Sequence, residues 1–146
     1  MPFYLLTLAI VIADQALKQL VHSTMSVGQV IPILGRFVSL TYVQNTGAAF
    51  SILTGRSPLL LVIGLLAAAL MVYFQQRLRA SDWELKLGLA LLLGGTLGNL
   101  FDRLVRHYVI DFIDFKVWPV FNLADIMIDL GVGLIILVVL FKKKGD

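Results

Sequence analysis

Residues Gly94–Asp125 read GGTLGNLFDRLVRHYVIDFIDFKVWPVFNLAD. The segment starts inside one apolar run, leaves it, and ends about one turn inside the next. Its 32 residues hold Asn99, Asp102, Arg103, Asp111, Asp114, Asn122 and Asp125, whereas the flanking sequence is mostly Leu, Val, Ile and Ala. Polar side chains are costly where hydrocarbon is the solvent, so a cluster of this kind is by default a functional-site hypothesis.

The flanks make hydrocarbon the relevant solvent. Of 146 residues, 59% are hydrophobic and 14% charged, with a mean hydropathy of +0.91. A soluble domain is roughly 45–50% apolar and about 25% charged. Four apolar runs, at about 3–21, 58–74, 85–101 and 120–141, account for the excess. They predict an all-α integral membrane protein, a four-transmembrane-helix bundle in one domain over 1–146, with a small β element at about 26–57. The absence of cysteine excludes disulfides, thiolate nucleophiles and Cys-based metal sites. The net charge of +3 is matched by the run Lys142, Lys143 and Lys144 alone. Abutting an apolar helix, that run reads as an orientation signal and not as nucleic-acid binding.

Upstream, the first run lacks a basic leader and a clear small-residue cleavage site, so it is expected to be a retained span. It carries Asp14 and Lys18 at i, i+4, on one helix face. Two readings stand: an ion pair near the helix end with Lys18 snorkelling to the interface, or Asp14 facing a polar pocket inside the bundle. Within Arg36–Gln44, Val38, Leu40 and Tyr42 alternate with Ser39, Thr41 and Val43, which is strand periodicity. Asn45-Thr46-Gly47 then turns the chain toward Ala48-Ala49-Phe50, so a short β element on the membrane surface is expected. Asn45 is either a turn former or a hydrogen-bonding group aimed at a site. Pro58 suits the first turn of the second span, which has no ionisable residue and is assigned to packing.

In the third span, Gly88 and Gly95 are a heptad apart and Gly94 and Gly98 form G-x-x-x-G, spacings that permit close helix approach. Asn99, Asp102, Arg103 and Arg106 make one polar face at its end. For Arg106 and His107 a solvated helix terminus is the expectation. Tyr108–Trp118 leaves the helix period, with Asp111, Ile113 and Phe115 on one side and Phe112, Asp114 and Lys116 on the other. Trp118 and Pro119 mark the interface and the next helix start, after which Asn122, Asp125 and Asp129 share a face.

Four spans put both termini and the 75–86 link on one side. Lys/Arg counts are six on each side. The lysine run lies directly against a helix end, however, and Lys18 and Arg103 have acidic neighbours to occupy them. Both termini are therefore expected in the cytoplasm, with the β element, Asp111 and Asp125 facing outward.

Two aspartates converging near the membrane surface suit hydrolysis. Neighbouring like charges cannot both ionise cheaply, so the pair shares one proton. The ionised member takes a proton from water and the protonated member polarises the scissile carbonyl. Asp111 and Asp125 flank a short extended segment that Pro119 redirects, and a chain re-entering the membrane would bring them together. Spacing leaves Asp114 and Asp129 as competing partners, and an ion-pair network with Arg103 and Lys18 as the structural alternative. There is no H-E-x-x-H or G-x-S-x-G, and His22 and His107 are isolated. No metal site and no cofactor are expected.

Asp14-Gln15-x-x-Lys18, Asn45-Thr46-Gly47-Ala48-Ala49-Phe50, Gly94-Gly95-x-x-Gly98-Asn99-Leu100-x-Asp102-Arg103, Val109-x-Asp111-Phe112 and Phe121-Asn122-x-Ala124-Asp125 resemble, in order and over nearly the whole chain, the boxes of lipoprotein signal peptidase (signal peptidase II). The resemblance implies an aspartic endopeptidase of the bacterial inner membrane. Such an enzyme removes signal peptides from diacylglyceryl-modified prolipoproteins, cutting just before the lipidated cysteine. It implies Asp111 and Asp125 as the catalytic dyad, which selects Asp111 over Asp114. Asp14, Lys18, Asn45, Gly47, Asn99, Arg103 and Asn122 follow as substrate-binding or supporting residues. The exterior β element becomes a substrate cradle, the protein acts as a monomer in contact with membrane lipid, and globomycin-type cyclic peptides are inhibitors. Asp129 lies outside the matched pattern. From other classes, a four-span ion or proton transporter subunit and a scaffold built on the G-x-x-x-G face are the competing readings. No internal repeat favours the transporter.

Overall fold

A computed structural model describes residues 3–47 and 55–141. Ala48-Ala49-Phe50 and the lysines at 142–144 lie outside the described residues. Four helices, α1 (Phe3–Thr24), α2 (Ser57–Arg77), α3 (Trp83–Val105) and α4 (Leu123–Phe141), are each long and apolar enough to cross a membrane. Three strands, β1 (Val30–Leu34), β2 (Val38–Asn45) and β3 (Val109–Asp114), form an antiparallel sheet in the order β1-β2-β3. The four-span bundle with a β element is thus present, with most helix ends extended by a few residues.

Helix α3 is the central member and packs against α1, α2 and α4. Its glycines make this possible by facing two partners. A Cβ at Gly94 would meet Ile10 of α1, whereas one at Gly88 or Gly95 would strike α4 at Ile135 or Ile128. Lipid tails are as apolar as leucine, so helices in a bilayer associate through such close packing and not through the hydrophobic effect. Outward-facing Leu8, Ile12, Leu66, Leu70, Val139 and Leu140 are exposed on the bundle's rim, where acyl chains would cover them. Gly95→Ala would drive its methyl into the Ala124 carbonyl oxygen and Ile128. We expect it to destabilise the bundle by about 1–3 kcal/mol and to displace the start of α4. Thermal unfolding in detergent is the check, and an unchanged midpoint would mean that α4 is not held by this contact.

The hairpin between β1 and β2 turns at Gly35, whose φ of 54° lies in the left-handed region open to glycine. Pro32, which cannot donate to a ladder, sits on the edge strand β1. The alternation read in 38–43 is β2. Its inward Tyr42 packs with Ile110 and Phe112 of β3 and with Val21 and Met25 at the end of α1. The aromatic alternation after Tyr108 is β3, paired with β2 so that Val43 lies opposite Asp111 and Asn45 opposite Val109.

Two expectations change. The fourth span starts at Leu123, not near Val120, and Pro119 does not open it. The backbone of Phe121 is occupied in sheet pairing: its carbonyl accepts the N–H of Phe112 and Ile113, and its own N–H donates to Ile113. The other change concerns Arg106, which is not a solvated terminus. It pairs with Asp102 across 2.6 Å and donates to Gln15 and Gln19 of α1. His107 is exposed, as expected.

Candidate active site

The polar cluster is built outward from the start of α4. Asn122 is its N-cap: the Asn122 Oδ1 accepts the Asp125 N–H at 3.0 Å, and the Asp125 carboxylate accepts the Asn122 N–H at 3.1 Å. This reciprocal pair is a capping box. The Ala124 N–H, another orphan donor of the first turn, goes to Asp14 Oδ1 of α1 at 3.0 Å. Helix initiation and side-chain placement are therefore one event, and Asp125 is fixed by the geometry that starts its own helix.

Asp111 arrives from β3. Its carboxylate accepts Nδ2–H of Asn122 at 2.6 Å and of Asn45 at 3.0 Å. Asn122 thus touches both Asp111 and Asp125, so the two acids stand on the same wall. Asn45 takes both roles open to it in the sequence: its Oδ1 accepts the Gly47 N–H in a local turn while its amide holds Asp111. Asn99 of α3 donates to Asp125 at 2.8 Å, and its Oδ1 accepts from Asn122 and from Lys18 at 2.8 Å. Because an ammonium can only donate, Lys18 fixes which way the Asn99 amide points.

Lys18 does not snorkel. It is fully buried, 2.9 Å from Asp14 and 3.0 Å from Asp102. Both expected features, an ion pair and an inward-facing Asp14, are therefore combined. Asp102 also accepts the Ile110 N–H at 3.0 Å, which ties the strand carrying Asp111 to the end of α3. Arg103 donates to the Gly47 carbonyl at 3.1 Å and lines the cavity. Asp114, a competing partner by spacing, is held instead by Lys116 and by the Thr41 hydroxyl, each at 2.7 Å. The Lys116 ammonium keeps its carboxyl below the ordinary range.

These side chains open on a cavity of about 920 Å³ whose walls include Asn45, Asn99, Arg103, Asp111, Asp125 and Asp129. Its rim carries Phe115 and Phe121 edge to face at 5.2 Å, with Trp118 beside them. A volume of this order, largely apolar with a few converging polar groups, is what a ligand site requires. Burial, and then the negative charge of Asp125, push the Asp111 carboxyl up to about 7, against the donors Asn45 and Asn122 and the charge of Lys18. Two acids that are each bonded to Asn122 and feel each other's charge, with one near neutrality, can hold a single proton between them. No group of His, Cys, Asp or Glu suited to a metal ion occurs among the described residues.

Three polar residues that brace this cluster are not among the site residues assigned from the sequence. Gln15 bridges Asp14, the Gly98 carbonyl and Asp102. Asp102 is legible only as part of a polar face, and the pattern alone places Arg106 in solvent. A common signal exists for the three: Gln15 follows Asp14, and Asp102 and Arg106 are i, i+4 on the face that Asn99 begins.

A family model described as Signal peptidase (SPase) II matches residues 6–141. The chain is similar to the lipoprotein signal peptidase of Halothermothrix orenii, at 42% identity over 98% of this chain and 99% of that one. It is similar also to the lipoprotein signal peptidase of Desulfitobacterium hafniense strain DCB-2, at 40% identity over 97% and 95%. Two solved bacterial membrane enzymes share the fold. One has a TM-score of 0.89 and 31% identity over 99% of this chain and 92% of that one. The other has a TM-score of 0.84 and 32% identity over 97% and 94%.

Proposed function

The chain belongs to the signal peptidase II family of multi-pass membrane aspartic peptidases, and from that premise we propose that it cleaves diacylglyceryl-modified prolipoproteins just before the lipidated cysteine, with Asp111 and Asp125 as the catalytic dyad. The observation that carries the reading is the convergence of these two acids on one cavity wall, joined through Asn122.

Asp111 and Asp125 share a proton. One carboxylate takes a proton from water as the hydroxide adds to the scissile carbonyl carbon. The other acid gives its proton to the carbonyl oxygen. Collapse of the tetrahedral adduct breaks the C–N bond: the leaving nitrogen takes up the proton that came from water, and an adduct hydroxyl returns its proton to the second aspartate, which restores the shared proton. Asn45, Asn99 and Asn122 hold the acids through amide donors, which orient a carboxylate without adding a charge that would strip the shared proton. Arg103 and the backbone of Gly47 form the polar edge of the substrate site. Asp14 and Lys18 support it from behind through Ala124 and Asn99.

The location of the acids agrees with such a substrate. A signal helix with two acyl chains leaves the bilayer reluctantly, at ~0.8 kcal/mol per buried CH₂, so the acids must stand at the lipid boundary. Asp125, in the first turn of a span, does so. We place both termini on the cytoplasmic side of a bacterial inner membrane. The sheet then forms a cradle over the cavity outside, the protein works as a monomer without cofactor, and globomycin-type cyclic peptides compete for the cavity.

Purified protein is expected to cleave a diacylglyceryl-modified precursor in a gel-shift assay and to leave the unmodified precursor intact. With one proton required on the pair and Asp111 at about 7, kcat/KM falls as pH rises through about 7. Activity that continues to climb above pH 8, or equal cleavage of both precursors, would overturn the reading.

A further inference from the structure

Of the three acids that line the cavity, Asp129 is the one that this mechanism does not use. Of the aspartates on the spans, Asp14, Asp102 and Asp125 are each held by protein donors. Asp129 makes no hydrogen bond or ion pair among the described residues. It is exposed, and it lines the same cavity as the dyad. An acid on a span that faces a cavity is by default a functional group. The same cavity is lined also by the apolar Gly64, Leu100 and Ile128, and by Thr96, which gives its hydroxyl proton to the Leu92 carbonyl.

Its depth determines what it meets. Four residues along α4 at ~1.5 Å each put Asp129 about 6 Å below Asp125. An extended peptide advances ~3.3 Å per residue. A substrate laid along α4 with its scissile bond at the dyad therefore passes Asp129 with the second or third residue before the cut. That segment arrives as part of a membrane-spanning signal helix and has to unwind for its peptide bond to reach the acids. Each N–H released from the helix is then without a partner in a water-poor setting, which is costly. A carboxyl group offers acceptor lone pairs in either protonation state.

Building on the function proposed above, we propose that Asp129 is a substrate-binding residue whose carboxyl accepts a backbone N–H of the signal peptide two to three residues before the cleaved bond, replacing the helical partner lost on unwinding. It acts on binding of the unwound segment and leaves the chemistry to the dyad.

The test uses full-length protein, Asp129→Leu and Asp129→Asn, with synthetic diacylglyceryl-modified peptides carrying or lacking N-methyl groups on those two backbone nitrogens. Asp129→Leu should raise KM for the unmethylated peptide about five- to tenfold, the effect of one lost hydrogen bond, with kcat little changed. Asp129→Asn keeps an acceptor oxygen and should stay near the unsubstituted protein. N-methylation should raise KM for the unsubstituted protein and abolish its difference from Asp129→Leu. Equal KM in the two proteins, or an N-methyl penalty undiminished in Asp129→Leu, overturns the proposal. So does an Asp129→Asn variant as impaired as Asp129→Leu with a displaced pH profile, since that marks a charge acting on the dyad. Failure of the unsubstituted protein to cleave either peptide overturns the parent reading as well, whereas ready cleavage with unchanged KM removes only the role of Asp129.

Discussion

Asp111→Asn or Asp125→Asn is expected to reduce cleavage of a diacylglyceryl-modified precursor by at least about 10⁴-fold, the upper range for loss of a general acid or base, while the protein still inserts and folds. An amide is nearly isosteric with a carboxylate but can neither hold nor transfer the shared proton. The two donors to Asp111 sit on different oxygens, Asn122 on Oδ1 and Asn45 on Oδ2, so the substituted side chain keeps one of these hydrogen bonds and turns its amide nitrogen toward the other donor, a cost of about 1–3 kcal/mol that the fold is expected to bear. Stability gives an independent readout. The Asp111 carboxyl sits at about 7 in the fold against 3.8 ordinarily. Between about pH 4 and 7 the native protein therefore keeps a proton that the unfolded chain has released. The group's contribution to stability falls as pH rises through that window and levels off above about 7. Asp111→Asn lacks this penalty, so its unfolding midpoint relative to the unsubstituted protein should improve from pH 4 to pH 7. Residual cleavage within tenfold of normal in either variant would remove that residue from the dyad.

Different parts of this fold are legible in the sequence for different reasons. The spans are legible because hydrocarbon imposes length and composition directly, and their glycines because close packing leaves no alternative residue. Pairing between β2 and β3 is not, because 63 residues separate Asn45 from Val109 in the register and alternation names a strand but not its neighbour. The start of α4 is misplaced by sequence reasoning for a related reason. Pro119 is a legitimate helix opener, yet the Phe121 backbone is claimed by Ile113, and the true signal is the Asn122–Asp125 capping pair. Spacing narrows the dyad to four acids. What separates them in three dimensions is their partners: Asp114 is bonded to a lysine, which favours its charge, whereas the side chains donating to Asp111 are two amides, and the strongest charge acting on it is that of another acid. The lysine beside Asp114 is local, but the donors to Asp111 arrive from other segments, and no local pattern carries them.

Lys18→Met should have the largest effect on stability, because it removes the one cation between two buried acids. The ammonium gives its three donors to Asp14, Asp102 and Asn99 at 2.9, 3.0 and 2.8 Å, and none of the charged groups is exposed. Breaking a buried pair from one side leaves an uncompensated charge, at about 3–5 kcal/mol. Two consequences reach the active site. Asp14 holds the Ala124 N–H and Asp102 holds the Ile110 N–H, so repulsion between these carboxylates pulls on the start of α4 and on the strand that carries Asp111. Asn99 also loses the shorter of the two donor contacts, from Lys18 and Asn122, that keep its Oδ1 turned away from Asp125, and cleavage should fall together with stability. The double variant Lys18→Met/Asp102→Asn removes one charge of each sign from the cluster. It should recover much of the lost unfolding midpoint in detergent, but not all of the activity, because Asn99 still lacks its Lys18 donor. A Lys18→Met protein with an unchanged midpoint and normal kcat/KM would mean that this cluster neither holds the bundle nor aligns the acids.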